Sequence, residues 1–498
     1  MGTVNRAEMR AIEGAAIHAG WTEERLLDLA GTRLGHALGR FFPDPGTIVA
    51  YLGKGHNAGD ALAAMRVLRD DYGWRLAARC AFDIEACAPI TRSKWNELGL
   101  PAALDGPPPW HGLRQPLVLL DGLLGIGASG PLSGQVAALA AEMEYLREMA
   151  GATVAAVDLP SGMDPDTGMP AAGAVTADIT FMIGNAKVGA LSSAAVNSVG
   201  ALALVPVEPL AKPAVGPIEL IAPQEMDFGK SPRPFDFHKG LAGKVAIVAG
   251  STSYPGAATL AATGALRAGA GLVTLHAPHD QTTILAAKCP PEIIIRGYRS
   301  FRELDIGDSM ALAVGCGMGS LGPDETAAFL HWLDAVPLPT VIDADALNLI
   351  AESGRSDLLR TNHLLTPHPG EFRRLAPDLV TLPREQAARA FTDRHPATLL
   401  LKGGRSLITR HGHPIWVNST GSPGMATGGQ GDLLAGVLAA LLARGLGTTQ
   451  AAALGAWLCG RASEIAESTT GQSPESLTPS GTAQHLGTAF RQWRNAAR

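Results

Sequence analysis

Only 5% of the 498 residues carry an aromatic ring, too few for a surface that stacks nucleobases. Basic clusters are missing as well. Forty Lys and Arg stand against 46 Asp and Glu, a formal net charge of −6, and no stretch gathers the positive charge that a phosphate backbone demands. Nucleic acid is therefore excluded as a general partner. The five cysteines, Cys80, Cys87, Cys289, Cys316 and Cys459, are odd in number and share no C-x-x-C spacing. They form neither a disulfide framework nor a zinc site, and they fit a reducing compartment. The longest apolar run, Leu433 to Ala443, is too short to span a bilayer, so no membrane association is expected. The opening MGTVNRAEMR has no signal-peptide core, and no Ser or Thr at the sixth position of a myristoylation signal. The expected location is the cytoplasm.

What is present is material for burial. Hydrophobic residues make up 46% and charged residues 17%, on a chain too long for a single core. The 59 glycines and 35 prolines are dispersed, as turn residues are. Between about 207 and 240 the stretch VEPLAKPAVGPIELIAPQEMDFGKSPRPFDFHKG is proline-rich and lacks a helical period, which sets a domain joint there. The expected domains are 1–224 and 225–498. On each side short apolar runs alternate with helical patterns: TIVAYLG, RLAARCAF, PLVLLD, ATVAAVD and DITFMI as strands before the joint, and KVAIVAG, GLVTLHA, MALAVG, TVIDAD, HLLTP and ATLLLKG after it. This alternation predicts α/β domains with parallel sheets covered on both faces, whose sites lie in loops at the carboxyl ends of strands.

The second half concentrates its chemistry in such loops. In TGSPGMATGGQGDLLAGVLAALLARG a glycine-rich loop leads to a single carboxylate, Asp432. Asp432 is either a helix cap or a base beside a bound phosphate. ATLLLKGGRS ends a buried-type strand on Lys402, Gly403 and Gly404, which also suits a plain hairpin turn. AVGCGMG places Gly315, Gly317 and Gly319 after a strand. HLLTPHPGEF offers His368 and Glu371, and IDADALNLI offers Asp343 and Asp345, for which helix capping is the simpler role. Taken together, glycine backbone, carboxylates, one histidine and one lysine in five strand-end loops are what a nucleotide-phosphate site requires.

GGQGD resembles the anion hole of the ribokinase-like superfamily. From about residue 236 onward, HKGLAGKVAIVAGSTSYPGAATLAATGALRAGAGLVTL, DADALN, LLTPHPGEF, LKGG and GSPGMATGGQGDLLAGVLAALLA resemble the ADP/ATP-dependent NAD(P)H-hydrate dehydratases. The resemblance implies a ribokinase-like α/β domain in which Ala257, Gly317 and His368 contact a hydrated nicotinamide nucleotide. Lys402, Gly403, Gly404, Arg405, Ser406 and Gly431 would hold ADP, used with Mg2+ as phosphoryl donor, and Asp432 would act on the hydroxyl.

In the first half, VAYLGKGHNAGDALAAMRVL spaces Gly53, Gly55 and Gly59 as G-x-G-x-x-x-G, one residue off the dinucleotide fingerprint. LVLLDGLLGIGASGPLSG and VAAVDLPSGMDPDTG place Asp121 and Asp158 at strand ends. With EMRAIEGAAIHAG, these motifs resemble the NAD(P)H-hydrate epimerases over about residues 6 to 206, which implies a Rossmann-like three-layer α/β/α domain. By that resemblance His56, Asn57, Ala58, Gly59 and Asp60, together with Gly125, Ile126, Gly127, Ala128, Ser129, Gly130 and Pro131, bind substrate. Asp158 catalyses epimerisation, and Asn57, Asp121 and Ser161 hold K+, a hard cation suited to oxygen donors. The family pattern NNGGD reads His56-Asn57-Ala58-Gly59-Asp60 here, and its Thr and Arg are replaced by Ile126 and Gly130.

Joined in one chain, the two halves imply the repair of hydrated NADH and NADPH, with epimerisation at C6 feeding a dehydratase that accepts one configuration. By family habit the assembly is a homo-oligomer and the donor ADP, although the motifs do not separate ADP from ATP. Two other readings stay open: a ribokinase-like vitamin kinase fused to a non-catalytic nucleotide-binding domain, and a first half kept only as a binding module.

Overall fold

A computed structural model of the chain describes residues 2–100, 102–128, 130–211, 216–228 and 233–496. It divides into two compact units, Met1–Leu220 and Ile221–Arg498.

The first unit is built on six parallel strands in the spatial order Arg75–Cys80, Thr47–Leu52, Leu117–Gly122, Thr153–Val157, Ile179–Ile183 and Ala201–Val205. Parallel neighbours need a crossover, and helices supply it on both faces. Helices Glu23–Phe41 and His56–Tyr72 bury Leu34, Leu38, Leu62 and Met65 against one face, and helix Gly134–Ala150 buries Leu139, Met143 and Leu146 against the other. Three layers result. Strand 47–52 feeds strand 75–80 on one side, and the chain then returns to lay strand 117–122 on its other side. The carboxyl ends of strands 47–52 and 117–122 therefore diverge into loops that leave a crevice, the usual position of a site in such sheets.

The second unit contributes nine strands in the order Ile294–Tyr298, Leu272–Pro278, Lys244–Val248, Ala311–Val314, Thr340–Ile342, His363–Leu365, Thr398–Leu401, Leu407–Thr409 and Ile415–Val417. The first seven run parallel, and the last two are antiparallel. The expectation of a wholly parallel sheet is thus corrected at one edge. Only residues 402–406 separate strands 398–401 and 407–409, and a parallel return needs a dozen or more residues. Here the strand order reverses between strands 244–248 and 311–314. The loops that follow them meet through Gly250 N–H to Cys316 O (2.9 Å) and Gly315 N–H to Val248 O (3.2 Å).

Helix Gln430–Ala443 is apolar all round and buried at every position from Leu433 to Ala443, as a helix within a core must be. It crosses helix Pro255–Arg267 at backbone contact. A Cβ on Gly264 would lie 2.2 Å from Leu433 O, and one on Gly436 would lie 1.8 Å from Ala261 O. Among the described residues no helix is long and apolar enough to cross a membrane. Gly436→Ala is expected to force the two helices apart and to destabilise the unit by about 1–3 kcal/mol, the usual cost of overpacking, measured by urea denaturation.

Candidate active sites

The second unit's site is assembled from five loops at the carboxyl edge of its sheet. Helix 430–443 is capped by Gly429 in the left-handed region (φ 97°), which puts Asp432 at the third helical position and leaves it no capping role. The carboxylate is partly buried, and its pKa is pushed up to about 6, by burial first and then by Asp343, against the opposing pull of Cys316 and Lys402. It is thus a carboxylate poised to take a proton near neutral pH.

Lys402 is not a solvated turn lysine, although residues 402–406 do form a hairpin turn. Its Nζ donates to Asp343 Oδ1 at 2.8 Å and lies 3.9 Å from Glu371 Oε2, with Asp343 only 2% exposed. Burial by itself would lower the Lys402 pKa, but Asp343 and Glu371 raise it above its ordinary value, so it stays charged. Asp343 occupies the N-cap position of helix Ala344–Glu352, yet its side chain makes no cap bond and faces the lysine instead. Asp345 also leaves its capping role, accepting the Gly319 N–H at 2.8 Å and so fixing the GCGMG loop.

Gly431 sits over this pair, since a Cβ there would lie 3.2 Å from Lys402 Nζ and 3.7 Å from Asp343 Oδ2. Gly317, at φ 62°, abuts Ala257 and Tyr254, whose Cβ atoms would each lie 2.7 Å from an added methyl. His368 caps helix Pro369–Leu375. Its Nδ1 accepts the N–H groups of Gly370 (2.9 Å) and Glu371 (3.3 Å), while Glu371 accepts the His368 N–H at 2.7 Å. With Nδ1 an acceptor, the proton of the neutral ring sits on Nε2, and half of the side chain remains exposed for a ligand. Gly403 and Gly404 are exposed, Ser406 is half-buried and Arg405 is buried, with the Arg405 pKa lowered to about 10 by burial.

The first unit's site lies in the crevice between strands 47–52 and 117–122. Asp121 is fully buried. Its Oδ1 accepts Ser161 Oγ–H (2.6 Å) and Leu123 N–H (3.2 Å), and its Oδ2 accepts Ser161 N–H (2.7 Å). Burial raises its pKa to about 6 despite these bonds. Asn57 Nδ2 donates to Leu124 O (3.0 Å), and Ser161 Oγ accepts Leu124 N–H (2.9 Å). Asn57, Asp121 and Ser161 are therefore gathered about one short segment, with Gly125 against Asn57.

Asp158 follows strand 153–157 with φ 67°, a conformation costly for a residue with a Cβ and common where function needs it. Its Oδ1 accepts Ile183 N–H at 2.9 Å and the ammonium of Lys187. Glu13 and Asp60 share its field, and both carboxyls are raised, by burial first and then by Asp158. His56 is exposed and lines a cleft of about 540 Å³ with Glu23, Ile90 and Ser93. Gly130 and Pro131 line a second cleft of about 350 Å³ beside Leu124 and Phe82. Ser129 lies outside the described residues.

The comparisons with known proteins divide the chain in the same way. Residues 245–480 match the family model described as NAD(P)H-hydrate dehydratase, and residues 23–189 match that of the YjeF-related protein N-terminus. The bifunctional NAD(P)H-hydrate repair enzyme of Gloeobacter violaceus is 34% identical over 466 residues, covering 89% of each chain. That of Moorella thermoacetica is 33% identical over 488 residues, covering 90% of this chain and 89% of its own. The chain belongs to the bifunctional NAD(P)H-hydrate repair enzymes. In fold, a ribokinase-like superfamily protein of Enterococcus faecalis superposes with a TM-score of 0.50 at 24% identity, over 57% of this chain and 98% of its own.

Within this repair-enzyme chain, the departures from the family pattern fall differently. Ala58 is fully buried in the first unit's core and Ile126 packs against that core, so neither methyl group needs to face a ligand. His56 alone of these replacements lines a described cleft with an ionisable ring. Several site residues escaped sequence reasoning. Arg384 donates to Leu401 O, Lys402 O and Arg405 O (3.3, 3.3 and 3.1 Å), which holds the 402–406 turn. Glu464 accepts Gly421 N–H at 2.8 Å. Neither lies in a motif, and only the tertiary fold brings them in. Glu13 lies within EMRAIEGAAIHAG but is not singled out there, and Lys187 falls within the sequence covered by the epimerase resemblance but carries no local signal.

Lys402→Met leaves the buried Asp343 without its cation and is expected to destabilise the second unit by about 3–5 kcal/mol. Adding Asp343→Asn is expected to recover most of that loss, because the stranded charge is removed. Urea denaturation of the single and double variants measures both.

Proposed function

We propose that the chain restores hydrated NADH and NADPH to their reduced forms, the first unit interconverting the two C6 configurations and the second dehydrating one of them at the expense of ADP. The observation that carries this reading is the cluster of Asp432, Gly431, Lys402 and Asp343. There a carboxylate with its pKa pushed up to about 6 stands beside a partly buried ammonium and the open N-terminus of a helix.

The chemistry follows from these groups. Hydroxide leaves C6 poorly. Asp432 takes the proton of the C6 hydroxyl as its oxygen attacks the donor's terminal phosphorus and the bond to the bridging oxygen breaks, releasing AMP when the donor is ADP. Lys402 and the N–H groups of the 429–431 turn balance the charge on the transferred group. The ring nitrogen then expels phosphate from C6, and loss of a proton from C5 restores the C5–C6 double bond. Ala257, Gly317 and His368 line the hydrate side, and residues 402–406 with Gly431 the donor side. Mg2+ would be carried on the donor's phosphates with one or two carboxylates, its common mode with nucleotides.

In the first unit Asp158 is the proton acceptor at C6, where a hydroxyl shares its carbon with the ring nitrogen. Removing the hydroxyl proton lets the C6–N1 bond open to an aldehyde, with the electron pair and a proton going to N1. Closure on the other face inverts the centre. Residues 56–60 and 125–131 bind the substrate. Asn57, Asp121 and Ser161 offer an all-oxygen donor set, and the fully buried Asp121 has no cationic side chain among the causes of its shift. Both features suit K+, which supplies a compensating charge.

The test mixes the full chain with hydrate of both configurations, Mg2+ and ADP or ATP, and follows the absorbance of reduced nicotinamide. Wild type is expected to convert the whole pool. Asp158→Asn is expected to stop early at the fraction one configuration represents, and Asp432→Asn to lose at least about 100-fold in rate, the size of a general-base contribution. A stable phosphorylated product in place of reduced dinucleotide would identify a small-molecule kinase instead. Because Asp432 must be ionised, kcat/KM for dehydration is expected to fall as pH drops through about 6 and to level off above it.

A further inference from the structure

Lys187 is among the largest fully buried side chains of the molecule, at 1% exposure. A buried ammonium is expensive unless it is paired, and its partners here are few and specific. Nζ donates to Ile183 O at 2.7 Å and to Asp158 Oδ1. The backbone beneath it is tied down by a parallel bridge, with Thr3 against Ala186 and Val4 against Lys187, and by Val188 N–H to Val4 O at 3.0 Å.

The consequence lies in which oxygen is engaged. Both donors to Asp158, Ile183 N–H and the Lys187 ammonium, bind Oδ1. Among the described residues no hydrogen bond reaches Oδ2. The left-handed backbone at Asp158 (φ 67°) and the clamp on Oδ1 together leave the carboxylate one free oxygen. The charged groups that act on Glu13, on helix Arg6–His18, are Asp158, Lys187, His56 and Arg10, and those that act on Asp60, on helix 56–72, are Asp158, Glu13 and Lys187. Glu13 and Asp60 are themselves raised by burial and by Asp158, and the ammonium of Lys187 pairs directly with Asp158 among these acidic neighbours.

We propose that Lys187 is the positioning residue of the epimerisation, clamping Asp158 Oδ1 so that Oδ2 receives the C6 hydroxyl proton. This rests on the reading of the first unit as an epimerase. Lys187 touches no substrate and acts only through Asp158.

The test uses the full chain and the initial rate of epimerisation, with Lys187→Met, Asp158→Asn and the double variant. Lys187→Met is expected to lower kcat by about 10- to 100-fold, the scale of a misplaced reacting group, with KM within about twofold. The double variant is expected to be no slower than Asp158→Asn alone, as for residues acting as one unit. Lys187→Gln, which keeps an N–H donor, serves as the second variant if the methionine does not fold, with the loss again expected in kcat and KM within about twofold. A folded variant with unchanged kcat, or a double variant slower than Asp158→Asn, overturns the proposal. Failure of the epimerase reading is a separate result: wild type would then epimerise no faster than Asp158→Asn.

Discussion

The reversal of strand order in a parallel sheet governs both halves of this molecule. Right-handed crossovers carry successive strands outward in one direction, and a sheet that grows both ways must begin again on the other side of its first strand. At that point two adjacent loops leave the strand ends and bound the usual crevice of such sheets. Strands 47–52 and 117–122 make it in the first unit, and strands 244–248 and 311–314 in the second. The proposed catalytic carboxylates come from elements beside these crevices, Asp158 from the end of the next strand and Asp432 from the first turn of a helix packed over the sheet.

Each crevice also solves the same electrostatic problem. A carboxylate meant to accept a proton must be partly shielded from water, and shielding alone drives it towards the neutral form. The second unit gathers Asp343, Asp345, Glu371 and Asp432 about Lys402. The first gathers Glu13, Asp60 and Asp158 about Lys187. In both, one ammonium stands among several carboxyls, and burial raises the pKa of Glu371 and Asp432 in one and of Glu13 and Asp60 in the other.

The glycines set how closely the supporting helices approach. Gly264 and Gly436 let two helices of the second unit touch through their backbones, which brings the Asp432 turn beside the helix whose first turn carries Ala257. In the first unit Gly31 and Gly35 do the same for helices 23–41 and 56–72, where added methyls would meet Ala63 and Val67 at 2.4 and 2.6 Å. Helix 23–41 is absent from the elements that the sequence pattern marks. Its glycines lower helix propensity, and only the contact they permit compensates.

The sequence by itself determined the α/β class, the two-part organisation and the loops that bear the chemistry. Apolar strand runs and glycine-rich turns are local patterns, written in consecutive residues. Asp432, Asp158, Lys402 and the Asn57, Asp121 and Ser161 set could all be named from such patterns and from family resemblance. The tertiary structure decided what each side chain is for. Asp343 and Asp345 sit where caps belong, and the fold turns one to Lys402 and the other to Gly319. Lys187 stands in an unremarkable stretch, and Arg384 lies far along the chain from the turn it grips. Such roles depend on distances between residues remote in sequence and on the loss of water around them. Neither quantity exists until the strands are paired and the helices packed.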